Sequence, residues 1–336
     1  VVGARSTESN SGAEDDIEKG GVGADGHANQ VAKLEAPVLQ AAPDTDGAGD
    51  LDSNDWFGAS VAIDGDTIVV GAYGDEGPGP GYTAMGSAYV YEKGAGWTDG
   101  TGNLVAKLNP PSEHADDYFG FSVAISGDTI VVGAYGDDEP NGIDSGSAFV
   151  FEEGGGWTDG YSNLSATLYL HTDDASNYDY FGEFVDIDGD TVVVSSRLNN
   201  QAADDSGTVY VYEKGGGWAD GDANQVAELY SEDGDLSDQF GSALDLNGDL
   251  LAIGAWGDQK PTGVGTTFSG TAYVFKKGAG WADGPVNQLS KYYPDDKEEE
   301  ADYFGSSVAI TTDFAFGGAV WDGDPNGEKA GSAYVF

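Results

Sequence analysis

Residues 57–75 read FGASVAIDGDTIVVGAYGD, and residues 119–137 read FGFSVAISGDTIVVGAYGD. Within the first copy, SVAI (Ser60 to Ile63) predicts a short strand. Asp64-Gly65 follows, the dipeptide that most strongly signals a two-residue hairpin, because a type I′ turn needs positive φ at both central positions. TIVVGA, from Thr67 to Ala72, is almost continuously apolar, as expected of a strand covered on both faces. SAYVYEK (Ser87 to Lys93) alternates in character, and after the turn GAGWTDGTGN a fourth strand is expected at Leu104 to Leu108. One unit therefore predicts a four-stranded antiparallel sheet, and a long acidic loop leads to the next Phe-Gly.

The unit recurs along the chain. Aligned on the glycine of Phe-Gly, copies fall at Gly58, Gly120, Gly182, Gly241 and Gly305, with spacings of 62, 62, 59 and 64 residues. The repeats thus begin near residues 57, 119, 181, 240 and 304. Helical periodicity is absent, so the chain reads as all-β. A single four-stranded sheet cannot bury both of its faces, whereas sheets packed radially around an axis do so and leave only short edges. A strand-containing period above ~50 residues favours that arrangement over a helical solenoid. The prediction is a β-propeller of four-stranded antiparallel blades in a single domain spanning 1–336. Residues 1–34 read as a partial repeat, since IEKGGVGADGHANQVAKL (Ile17 to Leu34) aligns with YEKGAGWTDGTGNLVAKL (Tyr91 to Leu108) without a gap. The final GSAYVF, Gly331 to Phe336, repeats the third strand. Six blades is the first choice. A five-bladed ring in which Asn29 to Leu34 supplies the last outer strand, or part of a seven-bladed parent, are the alternatives.

Composition sets further bounds. Hydrophobic residues make up 39% of the 336, enough for a core, while 60 acidic and 13 basic residues give a formal net charge of -47. Repulsion on that scale destabilises a compact chain in dilute buffer and is screened by salt, the Debye length falling to ~3 Å at 1 M. The expectation is a protein adapted to a salty environment; an acidic, calcium-rich extracellular module is the blander reading. Nucleic acid and anionic membranes are poor partners, because both require basic patches. There is no Cys, hence no disulfide framework, and no apolar run reaches the ~18 residues of a transmembrane segment. The chain opens on Val1 without Met or a signal peptide and reads as processed, cut or partial.

Phe-Gly opening each unit, Gly-Ala closing the second strand at Gly71-Ala72, Gly133-Ala134, Gly254-Ala255 and Gly318-Ala319, and the Gly-Ser-Ala-Tyr-Val-Tyr that follows resemble the FG-GAP repeat family. That family is seen in the β-propeller of integrin α-subunits and in many microbial surface proteins. The resemblance implies a propeller used for binding or adhesion, often extracellular. Integrin-type repeats carry a calcium loop between the first two strands. Here that connection is only Asp64-Gly65, Ser126-Gly127, Asp188-Gly189, Asn247-Gly248 or Thr311-Thr312, too short to wrap an ion that takes 6–8 oxygens. The copies look closer to a shorter microbial variant, and the third unit has Ser195-Ser196 where the others have Gly-Ala.

Several residues are candidates for chemistry. Asp55, Asp117, Asp179, Asp238 and Asp302 each stand three residues before the repeat glycine, where a short acceptor caps backbone N–H groups; metal ligation is the alternative. Asp322, Asp324 and Asn326 match the start of a calcium loop, as do Asp50, Asp52 and Asn54, and a similar spacing occurs at Asp233, Asp235 and Ser237. Calcium is therefore a candidate cofactor. Trp97, Trp157, Trp218 and Trp281 recur at one blade position and predict packing. Tyr73, Tyr135, Trp256 and Trp321 leave the second strand beside acidic loops, where an aromatic ring can pack or stack on a sugar. His27 and His114 lie in turn-rich loops and read as solvated. With His171 they are the only histidines, and they share no blade position. Asn163-Leu-Ser165 is a lone glycosylation sequon.

The leading expectation is a non-catalytic propeller, extracellular or on the cell surface. It would serve adhesion, ligand binding or protein interaction, with a protein or glycan partner. The alternatives are a structural subunit of a surface layer or filament that binds copies of itself, and a carbohydrate-active enzyme using channel carboxylates.

Overall fold

The computed structural model describes residues 30–37, 55–76, 83–112, 114–138, 142–171, 175–259, 268–294, 302–323 and 330–336. Five sheets form in chain order. Blade 1 contains β1 (Ser60–Asp64), β2 (Thr67–Ala72), β3 (Ser87–Glu92) and β4 (Leu104–Leu108). Blade 2 contains β5 (Ser122–Ser126), β6 (Thr129–Ala134), β7 (Ser147–Glu152) and β8 (Leu164–Leu168). Blade 3 contains β9 (Phe181–Asp188), β10 (Thr191–Ser196), β11 (Thr208–Glu213) and β12 (Gln225–Leu229). Blade 4 contains β13 (Phe240–Asn247), β14 (Leu250–Ala255), β15 (Thr271–Lys276) and β16 (Gln288–Tyr292). Blade 5 has three strands among the described residues, β17 (Phe304–Ile310), β18 (Ala315–Ala319) and β19 (Ser332–Val335). Each sheet is an antiparallel meander in sequence order, as expected of a propeller blade. A 3-10 turn, Gly284–Asn287, is one short helical piece.

The cores lie between sheets. Val69, Val90 and Leu108 of blade 1 pack on Phe119, Ile130, Phe151 and Trp157 of blade 2. Blades 2 and 3 share Val131, Leu168, Phe181 and Tyr212, with Trp218 against them. Blades 3 and 4 share Val193, Leu229, Phe240, Phe275 and Trp281. The TIVVGA run at β2 is half-buried at Thr67 and Ile68 and buried from Val69 to Ala72, and its identical copy β6 is buried throughout, as the apolar run predicted for a strand covered on both faces. Trp157, Trp218 and Trp281 belong to these inter-blade layers, and Trp97 packs with Leu34 and Ala36 on the face of blade 1.

The motif glycines lie where blades touch. A Cβ on Gly133 would stand 1.9 Å from the carbonyl oxygen of Gly182 in the next blade, and one on Gly71 would stand 2.0 Å from that of Gly120. Close backbone approach is what only glycine permits. At the third interface Ser195 replaces the glycine, and its Oγ accepts the backbone N–H of Phe184 at 3.0 Å.

The inner strands line a central channel of about 910 Å³, whose walls include Ala62, Ala124, Val185, Leu244 and Val308. Neighbouring inner strands are tied by side chains: Ser60 Oγ accepts the N–H of Val123 at 3.0 Å and Ser122 Oγ that of Val185 at 3.1 Å. At the far end of these strands the turn residue of one blade accepts the turn N–H of the next. Asp64 takes Gly127 at 2.6 Å, Ser126 takes Gly189 at 3.0 Å and Asp188 takes Gly248 at 2.6 Å. The short polar residue thus couples blades in the place where the integrin pattern holds an ion.

The hairpin is one residue later than the Asp64-Gly65 reading. Asp64 pairs with Thr67, so the loop is Gly65-Asp66. Gly65 has φ 54° and Asp66 is absent from the positive-φ residues, which fits a type II′ turn with glycine first rather than type I′.

Residues 33–35 dock on blade 1 as the outer strands β4 and β8 dock on the blades that follow them. Gly100 donates to the Lys33 carbonyl at 2.7 Å, and Lys33 donates to Asp99 Oδ1 at 2.7 Å. The same pair of bonds joins Gly160 and Asp159 to Lys107, at 2.8 and 2.9 Å. Among the described residues β19 pairs with β18 alone.

Candidate functional site: an aromatic belt at one mouth of the channel

Each blade begins with the turn Asp-x-Phe-Gly, and its second residue is Trp56, Tyr118, Tyr180, Gln239 or Tyr303. All five have left-handed backbone, with φ between 53° and 57°. For a bulky side chain that conformation costs roughly 1–3 kcal/mol, and it persists only where surrounding structure enforces it. The enforcement is visible. In blade 2, Asp117 Oδ2 accepts the N–H of His114 at 3.3 Å, and its carbonyl accepts that of Gly136 at 3.2 Å. The Tyr118 carbonyl accepts the N–H of Phe121 at 3.1 Å. In blade 4, Asp238 Oδ2 accepts the N–H of Asp235 at 2.6 Å, and Asp179 likewise caps Ser176 in blade 3. The aspartate three residues before the repeat glycine is therefore a turn cap in these blades, as its position predicted.

The strained turns push rings toward the mouth where the inner strands begin. There they meet the aromatic residues leaving the second strands of blades 1, 2, 4 and 5. Trp56 stacks on Tyr73 at 5.9 Å between centroids, and Tyr118 on Tyr135 at 4.9 Å. Tyr73 reaches Tyr118 of the next blade at 6.2 Å, and Tyr135 reaches Tyr180 at 5.3 Å. Farther round, Trp256 meets Tyr303 at 4.9 Å and Tyr303 meets Trp321 at 4.5 Å. Between these arcs Arg197 takes the aromatic position. Its Nε donates to Glu183 at 2.7 Å, and its Nη1 donates to Gln239 at 2.5 Å. Tyr73, Phe121 and Phe184 also line the channel.

The rim carries negative charge. Burial, then the carboxylates of Asp116 and Asp144, raise the Tyr118 phenol above its ordinary range; burial and Asp144 do the same for Tyr180. Both tyrosines therefore stay neutral, offering hydroxyl donors and ring faces inside an acidic collar. Such a surface repels polyanions and suits the C–H face of a sugar, an aromatic side chain or a cationic group.

Of the calcium candidates, Asp322 is described. It is 4% exposed, its Oδ2 accepts the Tyr334 hydroxyl at 2.5 Å, and its carbonyl accepts the N–H of Gly331 at 2.8 Å. Asp324 and Asn326, and also Asp50, Asp52 and Asn54, lie outside the described residues. Asp233 is held by Lys291 at 2.8 Å. The sequon asparagine is a structural post: Asn163 Nδ2 donates to the carbonyls of Glu152, Glu153 and Gly156, while its Oδ1 accepts the N–H of Thr158 at 2.9 Å. Asn103, Asn224 and Asn287 do the same in their blades. That ladder and the left-handed aromatics escape a reading of the sequence, although both recur at fixed offsets from the repeat glycine.

Radial four-stranded blades, glycines at the seams and a shared channel define the class, a β-propeller of repeated blades. Five stretches, residues 47–91, 103–151, 167–212, 223–275 and 286–336, match the FG-GAP repeat, and the chain belongs to the FG-GAP repeat family. No curated protein matches it.

Proposed function

We propose that this propeller is a non-catalytic, salt-adapted binding module, extracellular or at a cell surface, and that it takes a protein or glycan ligand on its aromatic belt. The observation that carries the reading is the set of aromatic side chains held in left-handed turns around one mouth. Strain concentrated on one face of a regular scaffold is a feature of ligand-binding positions. Family membership supports a role in binding, and the acidic collar favours neutral or cationic ligands over nucleic acid. Among the described residues no helix is long and apolar enough to cross a membrane. The channel carboxylates Asp186 and Asp245 give little support to hydrolysis. Asp186 Oδ2 accepts the N–H of Leu246 at 2.6 Å, and Asp245 Oδ2 accepts that of Ile310 at 2.5 Å, so both serve as seams between blades. Calcium at Asp50, Asp52 and Asn54, or at Asp322, Asp324 and Asn326, would serve to order loops.

The test is a glycan array and a surface-protein pull-down in molar KCl. Binding by the wild type, lost in Tyr118→Ala and Tyr135→Ala variants that keep the native circular dichroism spectrum, supports the belt. Binding that survives both substitutions contradicts it. A second reading, self-assembly, is favoured by β19, which among the described residues pairs with β18 alone, and by Val335, which is 59% exposed; a strand with an open edge can recruit another. Sedimentation in molar salt discriminates: a concentration-independent monomer removes that reading.

A further inference from the structure

The blades treat one buried carboxylate in different ways. It lies seventeen residues after the repeat glycine, at Asp75, Asp137, Asp258 and Asp322, with Asn199 in blade 3; all five are less than 9% exposed. In blade 1 the Tyr89 hydroxyl donates to Asp75 at 2.8 Å and Lys107 Nζ lies 2.8 Å from the same oxygen. Blade 4 repeats the device, with Tyr273 at 2.7 Å and Lys291 at 2.9 Å from Asp258. Blade 3 removes the charge, and Asn199 accepts the Thr208 hydroxyl at 3.1 Å. Blade 5 keeps the phenol, Tyr334.

Blade 2 keeps the aspartate but has neither the phenol nor the lysine. Phe149 stands where the tyrosine would be, and Thr167 stands opposite it where β4 has Lys107 and β16 has Lys291. A second carboxylate, Asp117, is 2% exposed, and its Oδ1 has no hydrogen-bond partner. Beside the two buried carboxylates stands the exposed His114, a residue type that no other blade has at this position. One ligand atom each from His114, Asp117 and Asp137 lie within 4.8 Å of one another.

We propose that His114, Asp117 and Asp137 bind a divalent first-row metal ion of the Zn²⁺ and Mn²⁺ class, occupying the place that a lysine ammonium holds in blades 1 and 4. The donor set decides the class. One imidazole with two carboxylates suits borderline N/O-binding ions, whereas Ca²⁺ wants six or more oxygens. Bonds of ~2.0–2.2 Å need the ligand atoms somewhat closer than 4.8 Å, a closure that the exposed His114 side chain can supply by rotation. Its exposure also leaves an outward position for water or a ligand group. The site is separate from the Asp-x-Asp loops.

The experiment is titration with ZnCl₂, MnCl₂ and CaCl₂ by isothermal calorimetry in molar KCl, with electron spin-echo spectroscopy of the Mn²⁺ complex. The expected result is one Zn²⁺ per chain, ¹⁴N coupling to Mn²⁺ from an imidazole, and at least tenfold weaker Zn²⁺ binding in His114→Ala. Thr167→Lys should weaken it similarly, by restoring the internal cation that blades 1 and 4 tolerate; Thr167→Val should bind as wild type. Absence of stoichiometric Zn²⁺ binding overturns the proposal. So does binding indifferent to Thr167→Lys and His114→Ala, or a site that prefers Ca²⁺.

Discussion

Asn163 shows how a single residue misleads when read locally. As a sequon it suggests an exposed glycan acceptor. In the blade its amide group spans the turn between the third and fourth strands and satisfies three carbonyls at once. Asn163→Asp keeps the acceptor and loses the donors, so a destabilisation of about 1–3 kcal/mol is expected by thermal melting in molar salt. An unchanged midpoint would show that the amide is dispensable. Asp238 gives a pH-dependent counterpart. Burial, with the nearby Asp258 charge, raises its carboxyl to about 7, although the Asp235 N–H opposes the shift. A carboxyl raised in the folded state makes folding less favourable as pH climbs from the ordinary carboxylate range to about 7. Asp238→Asn, which preserves an acceptor for Asp235, should therefore gain melting temperature relative to wild type at pH 8 compared with pH 5. A difference that is flat or reversed with pH contradicts this. The capping aspartates were legible in sequence because capping needs only a short acceptor at a fixed offset. The belt was half legible: Tyr73, Tyr135, Trp256 and Trp321 stood out, whereas the turn residues Trp56, Tyr118, Tyr180 and Tyr303 matter through a φ that no residue name discloses.

The strands are where the sequence reading was sharpest. TIVVGA and LVAKL were expected at Thr67 to Ala72 and Leu104 to Leu108, and both lie there. The hairpin slipped by one residue because its register is decided by the pairing of Asp64 with Thr67, which the dipeptide alone does not show. The glycines closing β2, β6 and β14 carry seams between blades, and their importance can be measured. Gly133→Ala would drive a methyl group into the Gly182 carbonyl; overpacking of backbone against backbone should cost about 3 kcal/mol or more. Gly155 is the control: a methyl group there would meet no heavy atom within 4 Å, and its φ is not positive. Its alanine variant is expected within about 0.5 kcal/mol of wild type. Equal melting temperatures for the two variants would remove the seam from the explanation of the motif.

At the scale of the whole molecule, charge and closure dominate. With 60 acidic and 13 basic residues, at most 13 acids can have a basic partner of their own, and the remainder repel. Screening shortens from ~10 Å at 0.1 M to ~3 Å at 1 M salt, so the melting temperature should climb with KCl over that range; a midpoint independent of KCl contradicts salt adaptation. Five copies of the blade unit were legible from the repeat, and the radial arrangement from the need to cover both faces of each sheet. Ring size was not, because it depends on how closely successive sheets twist together. The chain has no cysteine, so spin labels can be placed cleanly on the exposed turn residues Asp66, Asp249 and Asp313 of blades 1, 4 and 5. Pulsed electron–electron distances between these sites test the radial stacking most directly. A ring predicts that Asp66 to Asp313 is no longer than Asp66 to Asp249; a distance that keeps growing from the fourth blade to the fifth would show a linear stack and contradict the propeller.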